Sequence, residues 1–184
     1  MLSPIDLLQT DNRGIDVFHC FRVAELAFKL CSQLEISNEE KEEIVLSAAM
    51  HDIGKSKIDI SILNKPGKLN NKEWNEIKLH PKYGAAITQM MGYSVNISQN
   101  ILYHHENSDG TGYPKGLKDE DILLGAAIIR ICDSYDAMRS IRPYNRIMTH
   151  TEALQELIKD KRVYREDILD EFIKLDLNMF QKYY

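Results

Sequence analysis

The chain has 184 residues, 43% hydrophobic and 28% charged, the balance of a globular protein able to bury a core, which excludes disorder as a description of the whole. Asp and Glu, 28 in number, outweigh 23 Lys and Arg for a formal net charge of −5, so the chain lacks the broad positive field that duplex nucleic acid requires. The length favours a single domain over residues 1–184, no apolar run is long enough to cross a bilayer (Ile122 to Ile129 is the best), and MLSPIDLLQTDNRG carries no secretory signal.

The elements are helical almost throughout. From Asp16 to Leu34, Arg22, Glu25, Lys29 and Gln33 recur every three or four positions as one wet stripe on an otherwise apolar helix, which predicts a largely buried element with His19 off the stripe. Ser37 and Glu40 have capping-box spacing and open a second helix that runs to about Met50. Gly54 to Leu69, with KPGK at its centre, reads as a loop holding at most a short helix. Asn70 and Glu73 open the next helix, Pro81 restarts it at a first helical position, and Gly92 closes it. A helix over Asn96 to Tyr103 follows, then an ordered loop from His105 to Asp119 containing Gly110, Gly112, Pro114 and Gly116. Ile122 to Met138 is a strongly apolar helix, Thr149 and Glu152 cap a late one, and Asp167 to Leu175 supplies another. No period-two alternation is sustained, so the fold class is all-α.

The chemistry gathers where ionisable groups interrupt apolar helices. His51-Asp52 ends SAAMHDIGK, and Asp133 and Asp136 sit three apart in AAIIRICDSYDAM, on one helix face, so that one can bind a metal while the other orients a neighbour or a ligand. His104-His105 precedes the glycine-rich loop, His80 precedes Pro81, and His19 lies on the first helix. Singly each histidine fits a structural role; together with the aspartates they form an all-N/O donor set suited to iron, manganese or zinc. Cys20, Cys31 and Cys132 have no CxxC spacing and predict reduced thiols in a cytoplasmic protein. Arg139, Arg142 and Arg146, with no acid between them, make a local positive patch in an acidic chain. His150 reads as a surface residue.

The segments HDIGK, ILNKPGKL, HP with a following Gly, HHENSDGTGYPKGL and CDSYDAMRSIRPYNR resemble the HD-GYP family, the cyclic di-GMP phosphodiesterase branch of the HD superfamily, over nearly the whole chain. The resemblance implies a helical bundle with the Gly-rich loop at its active site. It implies two divalent metal ions, iron or manganese foremost. One ion would be held by His19, His51, Asp52 and Asp133 and the other by His80, His104 and His105, with Asp52 bridging. It further implies that a hydroxide shared by the ions attacks a phosphodiester of cyclic di-GMP to give pGpG, with onward hydrolysis to GMP left open. Asp52 and Lys55 are the implied catalytic residues, Lys55 touching phosphate or the leaving oxygen. Gly112 and Tyr113, flanked by Gly110 and Pro114, form the implied substrate lip, and Asp136 and Arg142 complete the ligand contacts. A structural turn remains the alternative for the glycines.

Two stretches depart from the family pattern. The common Arg-Trp after HHE is Asn107-Ser108, and Asn145 follows RPY, which keeps open a weakly active module that binds a cyclic dinucleotide; a second alternative, an HD hydrolase for another cyclic dinucleotide, stands because base-edge contacts depend on loop geometry. Some family members bear a third ion aided by a glutamate one turn before the first histidine. That position is Ile15 here, with Asp16 the nearest substitute, which predicts two ions and not three. The resemblance implies a cyclic dinucleotide as partner, and the charge and hydropathy predict neither duplex nucleic acid nor a membrane; a homodimer is left open.

Overall fold

A computed structural model describes residues 15–140 and 146–177. Helix α1 (Val17–Gln33) is capped by Asp16 and buries His19, Cys20, Val23, Leu26, Ala27, Leu30 and Cys31. Ser37 caps α2 (Asn38–Met50) through the N–H of Glu40, as the capping-box spacing predicts. A 3₁₀ turn over Ile53–Lys57 and the short α3 (Ile60–Leu63) occupy the segment expected to hold little helix. Asn70 and Glu73 form a full capping box on α4 (Asn71–Ile77), and Lys65 of the KPGK loop binds the same Glu73 carboxylate at 2.7 Å, tying loop to helix. Helix α5 (His80–Met90) starts at His80 itself, so Pro81 stands second in the helix and not first.

Helices α6 (Val95–Tyr103), α7 (Leu124–Arg139), α8 (His150–Lys159) and α9 (Glu166–Phe172) follow the predicted order. No strand occurs among the described residues; only an isolated bridge joins Asp109 to Lys118 across the Gly-rich loop. The fold class is all-α, as expected.

Helix α7 is the spine of the bundle. It packs on α1, α2, α6, α8 and α9, and it buries Ala126, Ile128, Ile129, Ile131, Cys132 and Tyr135 against Leu26, Leu30, Ile44, Leu157 and Phe172. A second small cluster, Met50, Ile97 and Ile101, lies where α2 meets α6. Together these two cores bring the C-terminal ends of α2 and α6, the start of α5, the first turn of α1 and the middle of α7 towards one place.

Helix α1 differs from expectation in its wet face. Glu25 and Gln33 are exposed as predicted, but so are Phe18, Phe21 and Phe28, at 76%, 47% and 52%, while Arg22 turns inward. The three cysteines are buried thiols. No helix among the described residues is long and apolar enough to cross a membrane.

Candidate metal centre

Five histidines and two aspartates converge at that meeting point. His51 caps the C-terminus of α2, and its Nδ1 donates to the Ala48 carbonyl at 2.7 Å. His104 caps α6 in the same manner, donating to Ile101 O at 2.6 Å, and His80 donates to Ile77 O at 2.8 Å. A carbonyl only accepts, so each Nδ1 carries the proton and each Nε2 keeps its lone pair. On α1, His19 Nδ1 is held by Asp136 Oδ2 at 2.6 Å, while its Nε2 lies 3.1 Å from Asp133 Oδ1.

Asp52, only 2% exposed, stands between two groups of donors. Its Oδ1 is 3.4 Å from His80 Nε2, and its Oδ2 is 3.6 Å from His51 Nε2 and 2.6 Å from Lys55 Nζ. On one side His80, His104 and His105 gather, with His80 and His104 Nε2 atoms 3.3 Å apart; on the other are His19, His51 and Asp133. Donor atoms within each trio lie within 4.8 Å of one another, and His51, Asp52 and His104 form a third such set that joins the two.

Burial drives His80, His104 and His105 below the usual imidazole pKa, so they are neutral and able to donate lone pairs at neutral pH. Burial opposes charge on His19 too, but hydrogen bonds to Asp133 and Asp136 outweigh it and raise that group to about 9. For Asp52, burial is overcome by the Lys55 ammonium and then by His51 and His80, which hold the carboxyl well below the usual range. Asp133 is likewise held low against its burial, chiefly by the hydrogen bond to His19.

These residues fit a cation. His51 Nε2 is buried with no hydrogen-bond partner, an atom whose desolvation only a ligand to its lone pair would offset. The donors are all nitrogen and oxygen, the imidazoles of His51, His80 and His104 are fixed in the ligating tautomer, and two carboxylates supply negative charge.

Other expected site residues fall as follows. Lys55 lies at the centre, on Asp52. Tyr113 is half-buried, stacked on His105 with ring centroids 4.9 Å apart, and its N–H donates to His105 O. Asp136 does not match the expectation of a substrate contact. It is 0% exposed, its Oδ1 accepts from Arg22 Nε at 2.7 Å, and its Oδ2 accepts from His19, Arg22 and Ser140. Its place is behind His19, orienting the imidazole.

Gly112 lies in the Gly-rich loop against residues 106 and 107. A Cβ there would collide with the backbone of Glu106 and Asn107, so the loop's own packing requires a glycine at this position. Arg142 lies outside the described residues. The positive patch does not survive in its two described members: Arg139 is buried and donates to Met148 O, and Arg146 pairs with Glu152 at 2.7 Å. His150 accepts or donates at Tyr135 Oη (2.8 Å) and is only partly exposed. Asp16 spends a carboxylate oxygen on the N–H of His19 as a helix cap.

Sequence reasoning missed two residues. Arg22 was placed on the wet stripe, and only its spacing of three from His19 hinted that it reaches the same partner. Glu106, 1% exposed, accepts from Lys115 N at 2.6 Å and Leu117 N at 3.0 Å, clasping the Gly-rich loop beside His105; its position next to two histidines was the available signal.

Residues 5–168 match the model of a family described as the HD domain. The chain is 36% identical over 175 residues to a cyclic di-GMP phosphodiesterase of Pseudomonas aeruginosa, covering 95% of this chain and 42% of that protein. It is also 36% identical over 136 residues to a 3′3′-cGAMP-specific phosphodiesterase of Vibrio cholerae, covering 74% of this chain and 30% of that protein. A solved HDG"Y"P protein from Bdellovibrio bacteriovorus superposes with a TM-score of 0.71 at 21% identity, over 98% of this chain and 58% of that one. The chain therefore spans less than half the length of these curated relatives. With the HD pair on a buried histidine–aspartate cluster and the family match running through nearly every helix, the chain belongs to the HD domain family, as its HD-GYP resemblance implied.

Proposed function

We propose that this chain is a cytoplasmic cyclic-dinucleotide phosphodiesterase that opens cyclic di-GMP to linear pGpG at a centre of two divalent ions, iron or manganese. The observation that carries the proposal is the position of Asp52, one carboxylate oxygen facing each histidine group. His19, His51, Asp52 and Asp133 would hold one ion, and His80, His104, His105 and Asp52 the other. When bound, such a pair lowers the pKa of a water near neutrality and polarises the phosphate oxygens. The relatives whose names specify cyclic di-GMP and 3′3′-cGAMP support a cyclic dinucleotide as the substrate class and make the hybrid cyclic dinucleotide the second candidate.

The protein's own groups do the remaining work. Neutral His80, His104 and His105 offer lone pairs without first losing a proton. Lys55, partly exposed and anchored on Asp52, points its ammonium to where a phosphate oxygen or the departing 3′-oxygen gathers charge. Glu106 keeps the loop closed on His105, and Tyr113 forms its half-buried lip. Arg142, as part of the same proposal, would complete the ligand contacts.

Metal-loaded protein incubated with cyclic di-GMP, 3′3′-cGAMP and cyclic di-AMP should release a linear dinucleotide from at least the first, read by chromatography. Absence of linear product from all three would overturn the proposal. Asp136→Asn should lower divalent-metal affinity about 10–100-fold, the range found when a residue orienting a metal-bound histidine is changed. A competition titration against a chelating dye reads this directly, and unchanged affinity would remove Asp136 from its role.

A further inference from the structure

Trp74 is the chain's single tryptophan, and it stands 45% exposed on α4. A large aromatic left half in water is informative, because its burial would ordinarily stabilise the fold. It is not isolated. Lys78, one helical turn later and two residues before His80, places its Nζ 5.7 Å from the centre of the Trp74 ring and 5.5 Å from the centre of the Tyr113 ring. Tyr113 in turn stacks on His105 at 4.9 Å with 29° between the planes. An aromatic ring, an ammonium, a second ring and an imidazole thus form one row from the surface to the metal centre.

The row has a distinct chemistry. Its members offer flat π-faces and one positive charge. Nearby Glu73 does not oppose a negative ligand as strongly as its charge suggests, since both its oxygens are bound by Lys65 Nζ at 2.7 Å. A purine nucleotide presents the matching pair of features, a stacking base and an anionic phosphate.

We propose that Trp74 and Lys78 form a nucleotide subsite beside the metal centre, with a purine base stacked on Trp74 and a phosphate drawn to Lys78. For the reaction this rests on the phosphodiesterase proposal: one base of the cyclic dinucleotide lies on α4 while its phosphodiester meets the ions. Tyr113 then acts as the wall between the two places, its ring in contact with both Lys78 and His105.

The lone tryptophan makes the test direct. GMP and cyclic di-GMP should each quench the intrinsic tryptophan fluorescence of the metal-loaded protein in a saturable manner. Trp74→Ala should raise KM for cyclic di-GMP about tenfold, within the range of losing one base–aromatic stack, with the loss in KM more than in kcat. Trp74→Phe should restore most of that affinity, which a merely disrupted fold would not allow, and Lys78→Gln should weaken binding and flatten its salt dependence. Absence of quenching by both nucleotides, with KM unchanged in Trp74→Ala, would overturn the subsite and leave only a packing contact between Trp74 and Lys78, even if hydrolysis proceeds. Saturable quenching by GMP without hydrolysis of any cyclic dinucleotide would support the purine subsite and sink the phosphodiesterase proposal instead.

Discussion

Replacing Asp52 with alanine is expected to strip metal from both histidine groups and to cut cyclic-dinucleotide hydrolysis by on the order of 10³-fold or more, since several kcal/mol of transition-state stabilisation would leave with the ions. The reason is geometric. Among the described residues Asp52 is the carboxylate set between the trios, 3.4 Å from His80 and 3.6 Å from His51, and without it each trio loses a charge and the link to the other. The change also leaves Lys55 without its 2.6 Å partner, adding a positive charge that repels cations. Asp52→Asn keeps the volume and removes the charge, so it should share the loss if charge is the cause. Elemental analysis and turnover measured on the same preparation, with circular dichroism to establish folding, check the expectation. Two ions retained by either variant would refute the bridging role.

A second large effect is expected from Gly54→Ala. The 3₁₀ turn after Asp52 crosses α5 so closely that an added Cβ would collide with the carbonyl of His80 and the amide nitrogen of Gly84. Both obstacles are backbone, so neither can rotate away, and α5 must shift as a body. Overpacking of this kind costs about 3 kcal/mol, which for a chain of this size lowers Tm by about 6–12 °C. Because His80 opens α5, the shift should also weaken binding at the second trio more than at the first. Thermal denaturation with metal stoichiometry tests both parts, and a variant melting with the wild type would show that the crossing is looser than described.

Helix order and capping were legible because they depend on neighbours in sequence. Ser37 with Glu40, Asn70 with Glu73 and Thr149 with Glu152 announce their helices within four residues. The metal-ligand candidates were legible for a different reason: ionisable residues in apolar helices such as SAAMHDIGK need partners. What the sequence withheld was direction. Asp133 and Asp136 share a face of α7, and nothing local says that one looks into the cluster while the other backs His19 and binds Arg22. Arg22 looked like a solvated residue because its partner lies 114 positions away. Gly112 looked like an opening for a ligand, whereas its constraint comes from Glu106 and Asn107, a backbone contact that no residue pattern displays. The exposure of Phe18, Phe21 and Phe28 on a helix expected to be largely buried has a similar origin, since helical periodicity ranks faces by polarity and does not tell which apolar residues meet the core.

The carbonyl partners of His51, His80 and His104 bear on how the site withstands mutation. In each case the acceptor is the main chain three residues earlier, at Ala48, Ile77 and Ile101. Every amino acid brings a carbonyl, proline included, so side-chain replacement at those positions leaves the proton on Nδ1 as long as the helix end keeps its path. Control over three imidazoles is therefore written in the shape of helix termini, where substitutions can drift without retuning the centre. His19 is built otherwise: its proton is assigned by a side chain from a distant helix, itself steadied by Arg22 and Ser140. The His19 imidazole thus carries a genetic liability that His51, His80 and His104 do not: side-chain change at Asp136, Arg22 or Ser140 can retune it, whereas theirs depend on the path of the helix ends.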